Sequence, residues 1–513
     1  MAFTGSGDGS PLVSGNSGSG ANRVGEDIDR VRFTREDRQR YRDKVKANLA
    51  ALETMLTDGR FETERKLAGL EVEFYVVDEH CNPSNINAEL LDRIASEDFQ
   101  TELAQFNIEF NLAPHKLVGS VFREMEEELL TSLQFAQRQA AGLNASILMI
   151  GILPTLADLD VTMLSMSNNP RYHLLNDQIL EARGEDLAIQ IEGQESVEIG
   201  ANSIMMEAAA TSIQLHLQVS PDGFASVWNA AQAIAGPQVA LAANSPFFLG
   251  KELWRETRIA LFEQSIDTRP EELTAQGVRP RVWFGERWID GVTDLFDENV
   301  RYFPSLLPLL DDEDPAQELE QGRIPHLPEL KLHNGTVYRW NRPVYDVARG
   351  KPHLRVENRV LPAGPTMVDT IANAAFYYGL VRSIAELDPP ISSQLSFQAA
   401  QDNFFTASQD GIEARVFWPG VGEVPVSELV LRTLLPLAHE GLNTWQVESR
   451  DRDLYLSIIE QRCLRRRNGA TWQVTTYRRL VDEGNDRTEA LRKMTRLYLE
   501  HMKTNEPVHT WPV

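Results

Sequence analysis

Four stretches of this chain alternate between apolar and polar residues. That period of two constrains the fold more than any other feature. The first, GLEVEFYVVD at 69–78, sets Leu70, Val72 and Phe74 against Glu71, Glu73 and Tyr75. In FNIEFNL (106–112), Phe106, Ile108, Phe110 and Leu112 oppose Asn107, Glu109 and Asn111. In SIQLHLQV (212–219), Ile213, Leu215, Leu217 and Val219 oppose Ser212, Gln214, His216 and Gln218. In LRVENRV (354–360), Leu354, Val356 and Val360 oppose Arg355, Glu357 and Arg359. Successive side chains of a strand point to opposite faces. Each segment therefore has one greasy face and one face of groups that ligate cations or bind anions.

Glu71 and Glu73 share a face, roughly 7 Å apart at two residues of strand rise. Crowded carboxylates resist ionisation. Either that face is solvated and ordinary, or a cation sits between the two. Mg²⁺ is a hard ion that suits such oxygen ligands. The four strands likewise leave two arrangements open. They are scattered and merely wetted, or they are neighbours in an antiparallel sheet that packs one face and leaves the other open. As neighbours they form one concave floor bearing Glu71, Glu73, Glu109, Gln214, His216, Glu357 and Arg359. Acids flanked by His and Arg would there suit divalent cations bridging an anionic substrate such as a polyphosphate.

The chain has 513 residues and a formal net charge of −25, which argues against a general nucleic-acid surface. Its two cysteines, Cys81 and Cys463, preclude a disulfide framework and suggest a cytoplasmic setting. Residues 1–26 are Gly/Ser-rich and read as a flexible tail without the apolar core of a secretory signal. No run reaches the length of a membrane span, and SILMIGILP (146–154) reads as a buried strand. Gly250-Lys251 and Gly350-Lys351 lack the context of a phosphate loop. Zinc-type cysteine spacing, H-E-x-x-H and G-x-S-x-G are all missing. If the chain handles ATP, it does so without the common loop motifs.

Helices are expected over 35–57, 120–143 with Ser120 as N-cap, 172–183, and 365–387. One is expected over 223–243, kinked or split at Gly236-Pro237. A strand is expected over 146–153, a surface loop at 311–328, and mostly helix over 424–504. No solenoid repeat is present. The fold class is α+β with a largely antiparallel sheet, helices covering its other face.

In this order the segments resemble the glutamate–cysteine ligases of the carboxylate–amine ligase superfamily, over roughly 65–385. GLEVEF looks like the opening E-x-E strand, and IEFNLAP like the E-(L/F)-x-x-(A/T)-P strand. NNPRYHLL is similar to the x-x-x-R-Y-x-x-M segment. MMEAAATSIQLHL resembles M-M-x-x-T-x-x-Q-x-(N/H). AANSPFFLGKELWRETR and LRVENR resemble the A-N-S-P-F and late E-x-R segments. The chain departs from these patterns at Leu174-Leu175, His216 and Thr257.

The resemblance implies a glutamine-synthetase-like catalytic domain, taken as 27–400; the region over 401–513 lies outside it and is expected from its pattern to be mainly helical. It implies ATP and Mg²⁺ as cofactors, with Glu71, Glu73, Glu109, His216 and Glu357 as metal ligands. Gln214, Asn244 and Ser245 would lie at the nucleotide. Arg258 and Arg359 would contact phosphate, and Arg171 the acyl substrate or the transferring phosphoryl. The implied partners are small-molecule substrates (glutamate, and cysteine or another amine), with no nucleic acid, no membrane and a possible homo-oligomer.

Overall fold

A computed structural model of the chain describes residues 33–513. The stretch read as a tail, 1–26, lies outside the described residues. One antiparallel sheet is built from β1 (Leu67–Val77), β2 (Phe99–Thr101), β3 (Asn107–Lys116), β4 (Ser146–Leu148), β5 (Ser212–Val219), β6 (Asn341–Ala348) and β7 (Lys351–Pro362). Their order is β6-β7-β5-β1-β3-β2, and β4 pairs with the end of β1. The four alternating segments are thus the adjacent strands β7, β5, β1 and β3. The register aligns their polar positions. Glu73 stands opposite Glu109, Glu71 opposite Asn111 and Gln214, and His216 opposite Glu357.

The apolar positions face the other way and are buried. Leu70, Val72, Phe74, Leu215 and Val356 are each at most 1% exposed. The main helices of the first part of the chain are α1 (Arg35–Thr57), α2 (Val121–Ala141), α3 (Pro170–Arg183), α4 (Phe224–Ala242), α5 (Thr257–Ser265) and α6 (Met367–Ile384), of which α2, α4 and α6 pack against the sheet. The Tyr378 hydroxyl on α6 lies 3.0 Å from the carbonyls of both Gly69 and His216 and shares its one proton between them, which fixes that helix under the middle of the sheet. The main helices of the C-terminal part are α7 (Phe397–Asp410), α8 (Leu435–Thr444), α9 (Ser449–Arg465), α10 (Gly469–Asp482) and α11 (Arg487–Thr504). One hydrophobic cluster runs from Tyr41 to Trp511, so the C-terminal helices share a core with the sheet. Among the described residues no helix is long and apolar enough to cross a membrane, and both cysteines are buried free thiols.

Several local expectations need correction. The helix over 223–243 is not split: α4 runs through Pro237. Tertiary packing overrides the breaker there, because Gly236 lets α4 approach α7 closely. A Cβ at 236 would stand 2.7 Å from the Asn403 carbonyl oxygen. Ser120 does not cap α2 through a backbone N–H; its hydroxyl donates to Glu124 Oε1 at 2.5 Å. Only Ser146–Leu148 of the 146–153 segment is strand. The remainder is buried irregular chain, with Gly151 N bonded to the Asn244 carbonyl at 3.2 Å. The 311–328 segment holds a short helix, Pro315–Glu320, capped by Asp314.

Candidate active site

The open face of the sheet brings together all seven residues of the expected floor. They divide into two groups. In the first, Glu73 Oε2 accepts from Ser212 N at 2.6 Å, and Oε1 accepts from Ser212 Oγ at 3.0 Å and Gln214 Nε2 at 3.1 Å. Glu109 Oε1 accepts from Asn111 Nδ2 at 2.8 Å. Glu102, just past β2, completes the group. Glu73, Glu102 and Glu109 each offer a carboxylate oxygen within 4.8 Å of the others.

Among the described residues no cationic side chain is bonded to any of these three. Burial raises the pKa of Glu73, and the nearby Arg359 only partly offsets it. Burial, then repulsion from Glu73 and Glu207, pushes Glu102 up to about 8. Burial, then Glu71, Glu102 and Glu73, holds Glu109 well above the carboxylate range. Glu207 is likewise pushed up to about 8 by burial and by Glu73.

The second group carries its own counter-charges. Arg342 on β6 binds Glu357 with both ends of its fork, Nε at 3.2 Å and Nη2 at 2.8 Å. Arg359 Nη1 donates to Glu357 Oε1 at 2.6 Å and also to Gln214 Oε1. Burial would raise Glu357, but Arg342 and Arg359 outweigh it and hold the carboxylate well below its usual range. His216 Nε2 lies 3.0 Å from Glu71 Oε1. For Glu71, too, burial is the largest influence, yet His216 brings the net shift downward.

Between the groups lies a cleft lined by Glu73, Glu207, Ala210, Ser212, Arg258, Phe262, Trp340 and Arg359. Arg258 is 3% exposed, with its guanidinium 5.7 Å from the Trp340 ring. Its Nε donates to Glu256 at 2.9 Å, and its Nη2 donates to the Val360 carbonyl beside Arg359. The arrangement combines oxygen-only acids, two fixed guanidinium groups and aromatic walls. Such a set can hold a hard cation beside an anionic group.

Comparison with known proteins is consistent with that chemistry. The model of glutamate-cysteine ligase family 2 matches residues 67–506. The chain belongs to that family. The match extends well past 385, where the resemblance read from the sequence stops, and takes in α7 to α11. Family membership supports a ligase of the carboxylate–amine class. A glutamate–cysteine ligase from Francisella tularensis, solved in complex with AMP, is 13% identical with a TM-score of 0.44. The alignment covers 88% of this chain and 96% of that one. A bifunctional glutathione synthetase from Pasteurella multocida is 10% identical with a TM-score of 0.52, over 89% of this chain and 55% of that one. This chain therefore spans about half the length of that enzyme, and the likeness is one of fold. No curated protein matches the chain by sequence.

In this family 2 member, not every expected site residue reaches the floor. Asn244 and Ser245, expected at the nucleotide, are fully buried behind Arg258. Ser245 Oγ accepts from Arg258 N at 3.2 Å, so the pair backs the arginine and does not line the cleft. Arg171 lies at the start of α3, where Asn169 caps its backbone N–H at 3.0 Å. Its charge is felt at Tyr172 and Tyr338, and among the described residues no carboxylate pairs with it. Glu102, Glu207 and Arg342 were not expected. Glu102 follows a three-residue strand and Glu207 sits in a 3-10 turn, with no period to mark either. Arg342 stands in NRPVYDVA, where Pro343 obscures the strand signal.

Proposed function

We propose that this chain is an ATP-dependent ligase that joins the side-chain carboxylate of L-glutamate to the amine of L-cysteine, giving γ-glutamylcysteine. The observation that carries the reading is the half-buried Glu73–Glu102–Glu109 group, whose Glu73 lines one cleft with Arg258 and Arg359. The donor set fits Mg²⁺: all oxygen, within reach of one ion, and lacking a cation of its own. Glu73, Glu102 and Glu109 would hold the ion; Glu71 and Glu357, expected as further ligands together with His216, are already paired with His216, Arg342 and Arg359. Bound there, Mg²⁺ supplies charge neutralisation to the polyphosphate and polarises the substrate oxygen.

A carboxylate has a poor leaving group and does not react usefully with an amine at neutral pH. Transfer of the γ-phosphoryl from ATP to the carboxylate gives an acyl phosphate and ADP. The amine then attacks the carbonyl, and phosphate leaves. Phosphoryl transfer asks for positioning and charge stabilisation more than covalent help. Arg359 meets that need. Glu357 and Gln214 fix its guanidinium, and the acids around it keep it charged, its pKa raised despite burial. Arg258 offers donors held by Glu256 and the Val360 carbonyl. Phe262 and Trp340 keep water from the cleft wall, which strengthens both interactions. Arg171, whose charge reaches Tyr172 and Tyr338, is the cation offered to the acyl substrate.

The test is product identification by mass spectrometry after incubation with ATP, Mg²⁺, glutamate and cysteine. γ-Glutamylcysteine with equimolar ADP is the expected result. Turnover with another amine, and none with cysteine, would keep the ligase chemistry and discard the substrate.

A further inference from the structure

The C-terminal helices do more than complete the core. We propose that they hold Arg258 in place through Asn244, which makes Asn244 a positioning residue for the cleft; the inference rests on the reading of Arg258 as part of the active site.

The path is continuous in hydrogen bonds. Asn244 is 0% exposed, and every polar atom of its side chain is engaged. Nδ2 has two hydrogens. One goes to the Ala363 carbonyl at 2.7 Å and the other to Tyr498 Oη of α11 at 2.8 Å. Tyr498 has a single hydroxyl proton, which the Met149 carbonyl takes at 2.8 Å. Oδ1 then accepts from Gln473 Nε2 of α10 at 2.9 Å. The fit is close from the side as well. A Cβ at Gly469, the first residue of α10, would fall 2.0 Å from Asn244 Oδ1. The next residue, Ala470, donates its N–H to the Ala243 carbonyl at 2.8 Å.

From Asn244 the path runs forward to the cleft. Its backbone N–H donates to Glu256 Oε2 at 2.8 Å, and Glu256 Oε1 accepts from Arg258 Nε at 2.9 Å. Ser245 Oγ takes the backbone N–H of Arg258. The same Asn244 amide grips Ala363, just past the end of β7, the strand that carries Arg359. One side chain therefore ties the supports of both active-site guanidinium groups to α10 and α11.

The chain end locks the far side of this brace. Trp472 packs edge to face on Tyr498, His501 and Trp511, the last at 5.2 Å and 90°. Trp472 Nε1 donates to the Pro512 carbonyl at 2.8 Å, and Arg467 donates to the Trp511 carbonyl at 2.8 Å. Aromatic pairs of this kind prefer defined geometries, so the last residues set the orientation of Tyr498.

The variant Tyr498→Phe tests the brace, because it keeps the ring and removes only the hydroxyl. Loosening the arginine should lower kcat by about 10- to 100-fold, the scale of a misplaced catalytic group, with KM for ATP little changed. The loss should vanish in an Arg258→Ala background, since a double-mutant cycle isolates coupled residues. A purely structural role would add in both backgrounds. A second readout needs no turnover: solvent exchange of the Arg258 Nε–H by NMR, assigned with Arg258→Lys, should quicken at least about tenfold in Tyr498→Phe as its support opens. Additive kcat losses, or unchanged Arg258 exchange, overturn the proposal. A wild-type chain without ligase turnover whose exchange still quickens in Tyr498→Phe overturns the reading of the cleft and keeps the brace.

Discussion

Glu109 and Glu357 are both glutamates on the same polar floor, and their surroundings treat them in opposite ways. Around Glu357, Arg342 and Arg359 supply charge-assisted bonds, and the carboxylate is held ionised. Around Glu109 stand Glu73 and Glu102 with no cation bonded to them, and burial drives the pKa values upward. An excess of buried like charge is costly unless protons or a metal relieve it. The difference separates acids paired within the chain from acids whose repulsion a cation would relieve. The Glu357 side is finished protein; the Glu109 side fits a cation.

The largest effect that would break this contrast is on catalysis. Glu102→Gln or Glu109→Ala should lower ATP-dependent ADP release by at least about 100-fold through lost charge stabilisation. The same Glu102→Gln should raise the melting temperature of metal-free protein, because one repelling acid is gone. On the finished side the sign reverses. Arg342→Ala should destabilise by about 1–3 kcal/mol, the cost of leaving a buried acceptor short of a donor, read by denaturant unfolding with or without Mg²⁺.

The pH dependence sharpens the contrast further. Glu102 and Glu207 have folded-state values of about 8 against an ordinary 4.5, so the folded chain binds more protons between these limits. Stability then falls as pH rises through that window. Metal-free protein should melt lower at pH 8.5 than at pH 6, and Mg²⁺ should restore most of the loss. Glu71 and Glu357, shifted downward, act below this window. The smallest effect belongs to Arg171→Gln. With no carboxylate partner, it should change stability by less than about 0.5 kcal/mol. Any activity it costs then reports on substrate.

The floor itself was legible in the sequence, but the contrast on it was not. Strict alternation fixes which side chains share a face, and four such strands placed seven polar residues on one floor. Adjacency itself came from the register. The rest was hidden for physical reasons. Glu102 follows a three-residue strand, and Glu207 lies in a 3-10 turn, where neither period nor face constrains direction. The compensation of Glu357 by Arg342 depends on a cross-strand pair that no local pattern announces. Asn244 reads as a turn residue in AANSPFF, yet its burial is decided by Gln473 and Tyr498, more than 200 residues away. Pro237 reads as a breaker, and packing against α7 overrides it.

The central claim is that one group of acids lacks its cation and the other does not. Equilibrium binding of Mn²⁺, standing in for Mg²⁺, to the full chain and to Glu102→Gln/Glu109→Gln tests it most directly. The account predicts a tight site in the wild type that the double variant loses, with its fold intact. Equal stoichiometry and affinity in both would contradict it.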